Sequence, residues 1–152
     1  MKTRLPQVLA RAAVAVLMAA PNLAAALCAA PPESGRWQNM DDAGDPYRIV
    51  ITLDDCGDQV LNGQQTQSRL GLRAWVKQSS GQLYGRPKVQ ARYVVDKGKR
   101  WLFAKVPTGG YVDNIWARRD DRGGAKQLYV FIRHKSLDSK PDAESKLRFK
   151  AL

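Results

Sequence analysis

Between residues 69 and 78 the chain alternates strictly. Leu70, Leu72, Ala74 and Val76 fall on one face, and Arg69, Arg73, Trp75 and Lys77 on the other. A period of two is the pattern of a strand with one dry face and one wet face. It returns at 88–95, where Val89, Ala91, Tyr93 and Val95 share a side, and at 126–135, where Leu128, Val130, Ile132 and His134 do. Further strand-like runs occupy 47–53, 100–106, 111–118 and 147–151. Short connections rich in Gly, Asp, Ser and Pro join them, such as Ser79-Ser80-Gly81, Asp96-Lys97-Gly98 and Pro107-Thr108-Gly109-Gly110. These residues supply the backbone angles that hairpins require. Residues 59–68 are polar and Gln-rich and read as a longer loop. The expectation is an all-β, antiparallel up-and-down meander of about seven or eight strands. Such a sheet hides its edges most simply by closing into a barrel.

The first 26 residues have a different character. Lys2, Arg4 and Arg11 precede an Ala/Val/Leu stretch and then a small-residue tract, the order of a secretory signal. The apolar stretch is interrupted by Pro21, and no later window approaches the roughly 20 residues of a membrane span. The reading is therefore a signal peptide at 1–26, an N-terminal arm at 27–46 and a β-barrel domain at 47–152, in a periplasmic or secreted protein with no transmembrane segment in its mature form. Cys28 as a lipid-modified residue is the alternative, with Leu27 standing where a small side chain is expected. Cys28 and Cys56 are the two cysteines, and in an oxidising compartment one disulfide between them is expected. The signal carries three of the 25 Lys+Arg and none of the 14 Asp+Glu, so the mature chain holds 22 against 14, a net charge of +8.

Two resemblances follow from short motifs. Gly35-Arg36-Trp37, ahead of the first strand-like run, resembles the G-x-W opening of lipocalins. That resemblance implies a tryptophan closing one barrel end with a late-strand arginine packed across it, here Arg133 or Arg148. The longer series is similar to a small family of bacterial exported or stand-alone domains with no established activity: Gly35, Trp37 and Asn39; Arg48, Ile49 and Ile51; Arg73, Ala74 and Trp75; Tyr84 and Gly85. It implies a lipocalin-like barrel. Gln78 and Ser79 stand where that family often carries cysteines.

Catalytic chemistry is not legible. His134 is the single histidine, and its alternation places it with apolar neighbours, as a structural histidine. One histidine and two distant cysteines give no metal-ligand spacing. The acidic doublets Asp41-Asp42, Asp54-Asp55 and Asp120-Asp121 read as turn residues. No enzyme, cofactor or metal is expected.

The basic faces carry the functional reading. Arg69, Arg73 and Lys77 accompany Trp75, and Arg133 and Lys135 accompany Tyr129 and Phe131. A barrel with such faces presents a positive wall to anions. The chain reads as an exported, non-enzymatic binding module for a small apolar ligand or an anionic envelope component. Trp37, Trp75, Trp101 and Trp116 are the ligand-binding candidates at the interior or rim, and Arg69, Arg73, Lys77, Arg133 and Lys135 the anion-binding ones. The alternative is a protein-interaction module, an inhibitor or accessory subunit, that uses the basic face against an acidic protein. Nucleic acid is not expected as a partner outside the cytoplasm.

Overall fold

The computed structural model describes residues 29–152, apart from 58–59, 62–63, 66–67, 123 and 139. For 60–61 and 64–65 only the backbone pairing is described. Residues 1–26, which sequence alone reads as a signal, and Cys28 lie outside the described residues. Among the described residues there is no helix, and every strand pairing is antiparallel.

The strands are β1 (Gly35–Asn39), β2 (Arg48–Asp55), β3 (Val60–Leu61), β4 (Gln64–Gln65), β5 (Arg69–Lys77), β6 (Leu83–Gly85), β7 (Val89–Asp96), β8 (Lys99–Pro107), β9 (Tyr111–Asp120), β10 (Gln127–Ser136) and β11 (Ala143–Ala151). The main sheet runs β2-β1-β11-β10-β9-β8-β7-β5, and pairing of β2 with β5 closes it into an eight-stranded barrel, with β6 as an extra strand on β5. Apart from the joint of β1 with β11, neighbours in the barrel are neighbours along the chain, as an up-and-down meander requires. The seam strand is β1, inside the segment that sequence alone reads as an arm. Five residues with one buried tryptophan give too short an alternation to register as a strand. The hairpin β3–β4 lies within the stretch read as a loop.

Local chemistry sets the corners. Lys97 and Gly98 both have positive φ (48° and 71°) and form the two-residue turn between β7 and β8. Between β6 and β7 the register against β5 slips by one residue: Trp75 faces Gly85, but Leu72 faces Val89. The extra residue is a bulge around Pro87, which cannot donate to the ladder. It turns Arg86 into the end of the barrel, where its side chain is buried.

The inward faces meet in one core. Ile49, Ile51, Leu70, Leu72, Leu102, Val106, Ile115, Leu128, Val130, Ile132 and Phe149 are buried, interleaved with Ala91, Ala104 and Ala117. Small residues beside large ones let a narrow barrel fill its own lumen.

The two barrel ends differ. At one, Trp37 is sealed at 2% exposure. Its indole N–H donates to the Glu33 carbonyl (2.9 Å), and Tyr93 donates its hydroxyl to the Glu33 carboxylate (2.7 Å). Burial first, then that hydrogen bond, raises the Tyr93 phenol well above its ordinary value of 10.0. The cation across Trp37 is Arg119 on β9, 5.7 Å from the ring, which also donates to the Pro32 carbonyl (3.0 Å). Arg133 and Arg148 do not reach the tryptophan: both fall on the outward parity of their strands, opposite Glu144 and Tyr129. At the other end Arg86, Asp113, His134 and Asp45 form a polar network.

Candidate binding surface

Strands β8, β9 and β10 point Leu102, Ala104, Ile115, Ala117, Val130 and Ile132 inward, so the residues between them face out. Those residues are aromatic and cationic. Register then aligns them across strands: Arg92 opposes Phe103, Phe103 opposes Trp116, Trp116 opposes Phe131, and Phe131 opposes Lys146. Ring centroids are 5.0 Å apart for Phe103 and Trp116 and 5.4 Å for Trp116 and Phe131, the tilted spacing that aromatic pairs favour. The next row sets Val94 against Trp101, Arg118 against Tyr129 and Tyr129 against Arg148. Trp101 and Tyr129 approach to 5.9 Å.

Cations cover these rings. The guanidinium of Arg118 stands 4.9 Å from the Trp101 centroid, Arg92 5.9 Å from Phe103 and Arg133 6.0 Å from Trp116. Such contacts contribute about 0.5–1 kcal/mol each at exposed sites. The rows floor an open groove of about 890 Å³. Arg92, Arg118, Lys146, Lys97 and Lys99 line it, together with Arg122 and Arg133, against one carboxylate, Asp96. Arg133 is paired with Glu144 (2.9 Å) and Arg122 with Asp120 (2.9 Å). The Arg122 hydrogen bonds hold the Asp120 carboxyl down to about 2. Two buried donors beside the groove, the indole N–H of Trp101 and Nε of Arg118, have no acceptor among the described residues.

The tryptophans singled out from sequence are not gathered in one place. Trp37 is in the core, Trp101 and Trp116 are outward on the groove floor, and Trp75 is on the outer face of β5. The basic candidates separate as well. Arg133 and Lys135 lie on β10, while Arg69, Arg73 and Lys77 lie on β5, with three strands between them in either direction. The β5 cations are already engaged: Arg69 with Asp55 (2.5 Å), Arg73 over Trp75 (5.0 Å) and Lys77 over Tyr47 (4.9 Å). Arg92, Phe103, Arg118 and Lys146 complete the groove and were missed by a strand-by-strand reading. Their signal lies in the register between strands, which short hairpin connections imply.

The polar barrel end was also illegible. Asp113, fully buried, accepts from Arg86 at 2.5 Å and contacts His134 Nδ1 at 2.6 Å. Asp45 holds the other Arg86 nitrogen at 3.1 Å. Among the described residues no group of three or more His, Cys, Asp or Glu is placed to hold a metal ion. No helix among them is long and apolar enough to cross a membrane. Cys56 is engaged rather than a lone thiol, and its expected partner Cys28 lies outside the described residues. No protein-family model, curated protein or solved structure matches this chain.

Proposed function

We propose that this chain is an exported barrel that binds an acidic glycan of the cell envelope in the groove on its outer wall. On this reading residues 1–26 are removed on export and Cys28 pairs with Cys56, tying the N-terminal arm to the end of β2. The observation that carries the proposal is the aromatic row Phe103–Trp116–Phe131, flanked by Arg92, Arg118 and Lys146 in an open groove. Flat aromatic faces stack the apolar faces of sugar rings, and the cations pair with carboxylate or phosphate substituents. A groove suits a chain-like ligand better than a flat lipid surface. The close-packed core favours this outer wall over a ligand within the lumen.

The test is calorimetric titration with a uronate oligosaccharide, a neutral oligosaccharide of equal length and vesicles of anionic lipid. The uronate oligomer should bind, more tightly at 20 mM than at 150 mM salt, because screening shortens to about 8 Å at the higher value. Trp116→Ala and Arg118→Gln should each weaken binding about tenfold, or about 1.4 kcal/mol. Equal binding of the neutral oligomer, binding of vesicles alone, or affinity unchanged in both variants would overturn the proposal.

A further inference from the structure

The barrel end opposite Trp37 holds an arrangement that the outer-wall reading does not use. Asp113 Oδ1 lies 2.6 Å from His134 Nδ1, and the other imidazole nitrogen, Nε2, lies 3.4 Å from Ser145 Oγ on the neighbouring strand. The Asp113 side chain is 1% exposed and its second oxygen is taken by Arg86. The carboxylate therefore has a fixed position and one remaining direction in which to accept, towards the imidazole. In a neutral imidazole with its proton on Nδ1, the carboxylate is satisfied and Nε2 turns a lone pair towards the serine. Tyr111 stands edge-on to the His134 ring at 5.7 Å. His134 and Ser145 open onto a cleft of about 660 Å³, whose apolar lining includes Tyr111, Pro141, Ala143 and Leu147. A nucleophile, a base beside it and a buried group orienting the base are the parts of covalent acyl transfer.

We infer that Ser145 is a nucleophile activated by His134, with Asp113 as the positioning residue, in a second site that hydrolyses carboxylic esters whose acyl group fits this cleft. Ser145 Oγ bonds to the ester carbonyl carbon as its proton passes to His134 Nε2. The ester C–O bond then breaks, and the leaving alcohol takes that proton. Water next gives a proton to Nε2 and bonds to the acyl carbon, and the acyl–Oγ bond breaks with the proton returned to Ser145. The products are a carboxylic acid and an alcohol, with water as the only co-reactant. The site is independent of the groove, so its success or failure leaves the glycan reading untouched.

The test is reaction of the purified chain with an alkyl fluorophosphonate, read by peptide mass spectrometry. One adduct per chain is expected, on Ser145, absent in Ser145→Ala and formed at least about a hundredfold more slowly in His134→Gln. Nitrogen-15 NMR of the unmodified protein at pH 8 reads the tautomer without any substitution. A proton on Nδ1 is expected, because Nε2 must keep its lone pair to act as a base; the labelling of His134→Gln separates a catalytic from a structural histidine. Absence of an adduct on Ser145, equal labelling of folded His134→Gln, or an imidazole protonated on Nε2 alone would overturn the inference.

Discussion

The inner and outer faces of β8, β9 and β10 come from the same three strands, yet they obey different demands. Inside, Ala104, Ala117, Leu128 and Ile132 are sized to fill a narrow lumen, and none has more than 1% exposure. Outside, Trp101, Phe103, Trp116 and Phe131 carry far more ring surface than a solvent face requires, and it is left half-buried beneath arginines. On the proposed reading, these large apolar groups outside the core serve binding rather than folding. The contrast separates two kinds of tryptophan: Trp37 holds the barrel together, and Trp116 offers a surface.

Substitutions on the two faces should therefore fail in different assays. The largest effects belong inside. Trp37→Ala should cost about 3–5 kcal/mol in urea unfolding. Asp113→Asn, which leaves Arg86 with Asp45 as its one carboxylate partner among the described residues, should cost less, about 2–3 kcal/mol. A loss as large as that of Trp37→Ala from Trp116→Ala would erase the distinction, because the account predicts a smaller one there, about 1–3 kcal/mol from its two ring contacts. Arg118→Gln should cost about 0.5–1 kcal/mol of stability, the worth of its contact with Trp101, while weakening glycan binding as above.

Titration sharpens the contrast at the sealed end. The folded protein holds the Tyr93 phenol protonated through burial and Glu33. The unfolded chain ionises that phenol near its ordinary value of 10.0. Stability should then be intact below that pH and fall as pH rises above it. Tyrosine absorbance should show one phenol that titrates only with unfolding. The smallest effect is acid. The Asp120 carboxyl, at about 2 when folded against 3.8 ordinarily, contributes above its ordinary value and loses that contribution as pH falls towards 2. Arg122→Gln should flatten that part of the acid unfolding profile.

The fold was largely legible because alternation at 69–78, 88–95 and 126–135 fixes which residues face inward, and short connections leave few ways to join the strands. What alternation cannot supply is the partner across the sheet. Tyr129 and Phe131 read as aromatic beside Arg133 and Lys135 on one strand, but the groove exists because Phe103 and Trp116 stand opposite in register. Arg86, Asp113 and His134 come together through a bulge at Pro87 and through barrel closure. They lie 27 and 21 residues apart along the chain, so no local pattern marks them. Arg119 rather than Arg133 or Arg148 covers Trp37 for a similar reason: the outcome rests on which strand parity meets the barrel end.

The most direct test of the central claim is the indole N–H region of a proton–nitrogen NMR spectrum during titration with the uronate oligosaccharide. Four tryptophans give four signals. The account predicts that Trp101 and Trp116 shift and saturate together while Trp37, sealed behind Arg119, stays in place. A shift centred on Trp37, or none at Trp101 and Trp116 while the oligosaccharide binds, would contradict it.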